Sequence, residues 1–505
     1  MANSVFKTYA QENGGRVLLL FLLFSLALYQ LATSGLGGFT LFCSIPTLVL
    51  FIYLAFKYRM LVFWILCIVN YIIFLRGILF LPIPMSLYNE ILEIILLAIA
   101  IIDVKDSHFE RCANLMLFML IIWCSFCTLQ LINDTCDVGI QFAEWYSGAR
   151  KIGFQILYCF LVYIIYISTP KILIKYLILW TILSLFAAFW VWKQKTFGFT
   201  PSESQFIEAH RTTHILQGGT LIRYFSIYSD AAAFGVGMAT TAVAFLIFSL
   251  TSKITKYRIV FGITGVISLW AMFPSGTRTA MACFFAGIFV FIFLSKSFKI
   301  AIPITLVGIL AFILIAFTNI GQGNQMIRRM RTAFDRKDAS ANVRTINQQA
   351  MKKYLQDAPW GIGIGNTYQN VPANNKFRKL SAIPPDSEYV WIWVHTGIIG
   401  ITIFLITTFF MFAGACWIVL FRITSPSLRG IGAGFCCAFV SIQLGGYGNQ
   451  ILMQFPNCVL YYGGLSLVYA LPYMEKEWIE WESKELAIQE EKKRLKLEKK
   501  RASRV

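Results

Sequence analysis

Charge is what this chain has least of, and negative charge is scarcer than positive. Only 14% of the 505 residues are charged, 57% are hydrophobic, and 25 Asp and Glu face 44 Lys and Arg. That balance excludes an ordinary soluble domain. The apolar residues fall in continuous runs rather than alternating, which excludes a β-barrel. Histidine is rare: there are four, of which His210 and His214 are an i,i+4 pair with no third ligand apparent nearby, so no metal site is expected. Cysteine is nearly absent from loops. Eleven of the twelve lie in or beside apolar runs and Cys136 alone stands clearly outside, so no disulfide framework is expected. Cys124 and Cys127, inside one run, read as small apolar residues rather than a redox pair. No internal repeat or low-complexity segment is evident, and the first apolar run lacks a small-x-small cleavage site, so it reads as a retained span.

What is present is membrane-spanning length. Fourteen apolar runs of about 15–25 residues, the length a helix needs to cross a bilayer, extend from 17–32, 36–56, 60–80 and 87–102 to 397–420, 430–443 and 455–471. The expected fold is all-α, a polytopic helical bundle of about fourteen transmembrane helices with a long, partly helical outer loop. The net charge of +19 is divided among short loops, which argues for membrane topology and against nucleic acid. Lys57, Lys105, Lys171, Lys253, Lys296 and Arg422 mark one side, read as cytoplasmic, where both termini also fall. Segment 474–505, rich in Glu, Lys and Arg, reads as a charged, solvated helix there. Two long segments, 193–230 and 318–388, fall on the opposite side. The second holds eleven Lys or Arg against five Asp or Glu, an electropositive cover suited to an anionic substrate.

The chemistry-bearing residues gather at that face. Arg223 lies just ahead of the run 231–250, where its planar fork suits phosphate oxygens. Pro274-Ser275-Gly276-Thr277-Arg278 breaks one helix and starts the next, and a helix start with added hydroxyls favours an anion. Arg344 opens an expected amphipathic helix in the long loop. Gly361-x-Gly363-x-Gly365 follows without a preceding strand, so it is weak as a nucleotide signal. Asp386 and Glu388 close the loop beside the membrane. They could deprotonate a sugar hydroxyl or simply pair with the arginines. Trp391 and Trp393 read as interfacial anchors or sugar-stacking rings.

In this order the segments resemble the bacterial O-antigen ligases and O-antigen or capsule polymerases. The shared features are an arginine before a small-residue-rich helix, the Pro-Ser-Gly-Thr-Arg turn, a long basic outer loop ending in Gly-x-Gly-x-Gly, and the Thr396-Gly397-Ile398-Ile399-Gly400 entry to the next span. The resemblance implies a glycosyltransferase of the bacterial inner membrane, working on the periplasmic face without metal or cofactor. Its donor would be a glycan on undecaprenyl pyrophosphate, and its acceptor another glycan or a lipid-linked acceptor, among membrane lipids. By the same resemblance Arg223 and Arg278, with Arg344 as a further candidate, hold the donor pyrophosphate, and Asp386 or Glu388 serves the acceptor. Ligases commonly carry a His-Asn pair eleven residues before the glycine of the Thr-Gly turn. Asp386-Ser387 stands there in this chain, which tilts the reading toward a polymerase, with a ligase as the alternative. The rival enzyme class, the peptidoglycan-polymerising shape and division proteins, has an acidic loop pattern not seen here. A lipid-linked oligosaccharide flippase would favour repeated halves with polar residues at mid-membrane, and a membrane scaffold would leave Arg278 and the basic loop without purpose. The expected organisation is N-terminal spans and first outer loop at 1–222, a ligase/polymerase-like core at 223–421 including loop 318–388, C-terminal spans at 422–473 and the tail at 474–505.

Overall fold

A computed structural model of the chain describes residues 14–75, 85–216, 219, 221–296 and 339–502, with scattered positions between 302 and 329. The expected span at 300–317 and the start of the long loop therefore lie largely outside the described residues. The fold is helical as expected. The only strands among the described residues are β1 (Ile215–Leu216) and β2 (Leu221–Ile222), an antiparallel pair with Ile215 opposite Ile222. Among the described residues eight helices are long and apolar enough to span a bilayer, or nine if the bent pair 49–72 counts as one.

The chain divides into two compact units, residues 1–64 and 65–505. The first contains α1 (Gly14–Lys57), interrupted at Gly35 (φ 65°, ψ −163°) between the two runs read from the sequence. Helix α2 (Arg59–Ile72) follows. The second unit carries α3 (Met85–Ile102), α4 (Leu115–Leu129), α5 (Phe142–Ala149), α6 (Gln155–Tyr166), α7 (Pro170–Thr196) and α8 (Pro201–Ala209). After the β pair come α9 (Ala231–Thr251), α10 (Thr255–Met272), α11 (Arg278–Leu294), α12 (Ala339–Leu355), α13 (Glu388–Trp417), α14 (Pro426–Gly448) and α15 (Gly464–Ala502).

Helix α9 is the axis of this unit. Its sequence, AAAFGVGMATTAVAF, has no polar stripe and is buried almost all round against α10, α11 and α14, as expected of a helix apolar on every face. Small residues let its neighbours approach closely. A β-carbon at Gly235 would lie 2.3 Å from Ser275 Oγ. Asp230 caps the helix, accepting from the N–H groups of Ala232 (2.7 Å) and Ala233 (2.9 Å).

Helix α13 is not continuous. At Gly397 (φ 70°, ψ −171°) the backbone leaves helical geometry, and the glycine-rich stretch 361–365 completes its hydrogen bonding. The Ile362 and Gly363 N–H groups donate to the carbonyls of Val394 and His395 (both 3.0 Å), and Ile399 N–H donates to Pro359 O (3.3 Å). Gly361-x-Gly363-x-Gly365 is thus a splint for a broken helix. The rest of the long loop has its own small core, in which Met351 and Leu355 of α12 pack with Ile362, Val371, Phe377, Leu380 and Val394. Cys136 is buried in that core, and burial pushes its thiol up to about 11.

The charged tail departs in part from its reading as a charged, solvated helix. Helix α15 is docked over its first half. Glu475 Oε1 accepts the N–H groups of Thr424 and Ser425 (both 2.7 Å), Trp478 Nε1 donates to Ser427 Oγ (3.0 Å), and Glu482 pairs with Lys253 (3.1 Å).

Candidate substrate site at one end of the bundle

Arg223 is placed by what comes before it. Thr200 and Glu203 form a capping box at the start of α8. Buried Glu203 also accepts from Trp190 Nε1 and Gln194 Nε2 (both 2.8 Å) and lies 3.5 Å from Lys193 Nζ. Gln194 in turn holds Ser226 through both its backbone N–H and its carbonyl (2.9 and 3.1 Å). This network ties segment 197–230 to α7. Burial opposes ionisation of Glu203, but the donors from Thr200, Gln194 and Trp190, with the Lys193 charge, outweigh it and hold the carboxyl below its usual value. Its stabilising contribution is therefore full above pH ~4.5 and lost as pH falls through the lower folded-state value. Thermal unfolding followed from pH 6 to pH 3 should show that acid loss in the wild type, and Glu203→Gln should flatten it.

Arg223 and the Pro274–Arg278 turn meet, as the sequence led one to expect. Arg223 Nε donates to Ser275 O (3.1 Å), Nη1 to Thr213 O (3.0 Å) and Nη2 to Thr277 Oγ1 (3.0 Å). Thr277 Oγ1 passes its own proton to Ala231 O (2.9 Å), fixing the turn to the start of α9. Gly276 is left-handed (φ 57°), and α11 begins at Arg278, half-buried, so that two helix N-termini flank the arginines. Burial presses the Arg223 pKa down from its ordinary value; Asp230 opposes this and the Arg278 charge adds to it. Guanidinium has five donors. Three of Arg223's are spent on the protein, leaving one each on Nη1 and Nη2. His214 has a part in this frame: its Nδ1 lies 3.2 Å from Arg223 O, and its ring packs on Phe206 and Phe225.

Arg344 joins from the loop, with Nη2 donating to Gly448 O (2.7 Å) at the end of α14. Asn347, one turn further along α12, donates to Asp386 Oδ2 (3.3 Å). Asp386 is half-buried, whereas Glu388 is buried, with Oε2 accepting from Leu452 N–H (3.2 Å) and Oε1 unpartnered. Trp391 stacks on His395 with Lys151 Nζ 5.1 Å from its ring centroid, and Trp393 packs on the loop core.

Two contributors were not singled out from the sequence. Arg329 Nε donates to Gly276 O (2.8 Å), adding a cation at the turn. The second is the stretch 445–454, which touches nearly every predicted segment. Gly446 O accepts from Ser387 Oγ (3.1 Å), Asn449 Nδ2 donates to Thr279 Oγ1 (3.4 Å), Gln450 donates to Pro385 O, and Gln454 accepts from Ser229 Oγ. Its signal in the sequence is the glycine and amide run Gly445-Gly446-Tyr447-Gly448-Asn449-Gln450, uncommon at the end of an apolar span.

The fold and this site define a polytopic helical membrane protein with arginines and carboxylates gathered at one end of the bundle. Residues 263–405, from within α10 across the loop into α13, match the family model described as O-antigen ligase. No curated protein matches the chain. Over residues 263–405 the chain is similar to the O-antigen ligases, and that segment lies within a polytopic helical membrane protein.

Proposed function

We propose that this protein transfers a glycan from a polyprenyl-pyrophosphate donor onto a sugar hydroxyl, extending a lipid-linked polysaccharide such as an O-antigen, capsule or exopolysaccharide. The observation that carries this is the joining of the arginine turn to the Asp386 segment through residues 445–454 and α12. In this reading Arg278 and the remaining donors of Arg223 bind the pyrophosphate, with Arg344 and Arg329 at its margin. Fixed cations and helix N-termini stabilise the negative charge that develops on the leaving pyrophosphate oxygen as the anomeric C–O bond breaks. Asp386 is the acceptor-side base. It is half-exposed, with a neutral amide for a partner, and takes the hydroxyl proton as the new glycosidic bond forms. Glu388, buried on the Leu452 N–H, holds the loop that positions Asp386.

On this reading the donor is undecaprenyl pyrophosphate, the outer face is the periplasmic side of a bacterial inner membrane, and both termini are cytoplasmic. Polymerisation is favoured by Asp386-Ser387 at the place where ligases commonly carry His-Asn. The second reading, transfer onto lipid A core or another acceptor, is in keeping with the ligase named in the family description.

The test is reconstitution of the purified protein with a lipid-pyrophosphate-linked repeat unit in the presence of EDTA. A ladder of longer lipid-linked glycans is expected, reduced about 100-fold or more in Asp386→Asn. Glu388→Gln is expected to lose less activity but more stability. Transfer only to an added lipid A core would replace the polymerase with a ligase. Passage of labelled lipid across the bilayer without transfer would replace the enzyme with a flippase.

A further inference from the structure

The three helices that frame the arginine turn and stretch 445–454 also share their opposite ends. Helix α9 leaves Asp230 and ends at Thr251, α11 leaves Arg278 and ends at Leu294, and α14 runs back from Pro426 to Gly448. At that far end they enclose an open recess of about 430 Å³. Its lining includes Lys253, Arg258, Lys296 and Arg429 and no carboxylate. Lys253 is neutralised by Glu482 (3.1 Å). Among the described residues the other three have no carboxylate partner. Among the described residues their hydrogen-bond partners are main-chain carbonyls: Ser252 O takes Nε and Nη2 of Arg258 (both 3.2 Å), Ile423 O and Thr424 O take Nε and Nη2 of Arg429 (3.2 and 2.9 Å), and Leu420 O takes Lys296 Nζ.

Those bonds fix the cations without cancelling their charge. Both arginines retain the Nη1 donors, and Lys296 retains two N–H groups. The tendency of Lys and Arg to collect in short loops on one side of a membrane protein accounts for their number. It does not account for three of them lining one cavity with no carboxylate partner among the described residues.

Thr251, Ser252 and Ser295 also line it, and one side of the recess is apolar, formed by Leu250, Phe291, Leu294 and Ala433. Leu250 is also exposed on the outside of the bundle, as is Phe293 one turn from Phe289 on α11. The recess therefore has a cationic floor and an apolar wall that continues onto the surface meant for acyl chains. A free phosphate would use only the floor, and a zwitterionic headgroup would bring its own cation into an already positive site.

We propose that this recess is a binding site for the phosphate of an anionic phospholipid, such as phosphatidylglycerol or cardiolipin, with the acyl chains lying along the outer face beside Leu250 and Phe293. Basic pockets between transmembrane helices are suited to such headgroups. The site is remote from the arginine turn and stands independently of the glycosyl-transfer reading.

The experiment uses the full-length protein purified in a neutral detergent. Lipid retention is read by native mass spectrometry and stabilisation by the thermal unfolding midpoint, with phosphatidylglycerol, phosphatidylcholine or inorganic phosphate added. Phosphatidylglycerol should be retained and raise Tm by several degrees, and the other two should not. Arg258→Gln with Lys296→Gln should weaken retention about 30-fold, while Arg258→Lys with Lys296→Arg should keep it. Equal binding of phosphatidylcholine overturns the proposal, as does undiminished retention in the glutamine variant. An equal shift with inorganic phosphate overturns the lipid assignment. If the glutamine variant does not fold, the charge-keeping variant decides: folded without retention, it sinks the idea.

Discussion

Gly397→Ala is expected to leave little folded protein. The residue has φ 70° and ψ −171°, a region of backbone space open almost only to glycine. An alanine β-carbon would also lie 2.0 Å from Pro359 O and 2.4 Å from Gly361 N, both main-chain atoms that cannot rotate away. Relief would need the splint 359–363 to withdraw from α13. That would orphan the carbonyls of Val394 and His395 in the interior, where each unmade bond costs about 1–3 kcal/mol. With the backbone strain, the expected cost is about 4 kcal/mol or more, a large part of any domain's stability. The measurement is the yield of monodisperse protein on gel filtration in detergent, together with Tm. A variant as stable as the wild type would mean that α13 can run straight through residue 397. Gly361→Ala, at φ 75° and 2.4 Å from Gly397 N, should behave the same way.

The second large effect separates two arginines that look equivalent in the sequence. On the proposed glycosyl-transfer reading, Arg278→Gln should reduce activity about 100- to 1000-fold, the scale of removing a donor that stabilises transition-state charge. Arg223→Gln should lose both activity and fold. Its guanidinium holds Ser275 O, Thr213 O and Thr277 Oγ1, so its removal uncouples the 274–278 turn from the strand before α9. Lysine cannot substitute, since one ammonium does not span three acceptors set around a planar fork. Paired activity and Tm measurements on Arg278→Gln, Arg223→Gln and Arg223→Lys check this. Loss of Tm in Arg278→Gln equal to that in Arg223→Gln would make Arg278 a scaffold residue instead.

The helical class and several boundaries could be read directly, because a bilayer leaves one strong signal. The run 231–250 became Ala231–Thr251, and the interruption between 32 and 36 became Gly35. The meeting of Arg223 with the Pro274–Arg278 turn was also legible, since they precede α9 and α11, whose starts the intervening helix α10 brings to the same end. Other features were hidden for definite reasons. The role of Gly361-x-Gly363-x-Gly365 depends on a partner, Gly397, more than thirty residues away, and a one-dimensional pattern does not reveal a backbone-to-backbone contact. Residues 445–454 carry almost no charge, and what they contribute is mainly glycine backbone and amide side chains, which resemble an ordinary turn until their neighbours are known. The docking of α15 was missed because its Glu and Lys look solvated; only Glu475, Trp478 and Glu482 in place show that one face of that helix is not.

The position of stretch 445–454 bears on when the site is completed during synthesis. The arginine turn, the basic loop and Asp386 all leave the ribosome before this stretch does. A chain halted ahead of residue 445 would possess the charged side chains without the residues that join them. A nonsense mutation there should yield an inserted but inert protein, in which the charged side chains are present and unjoined.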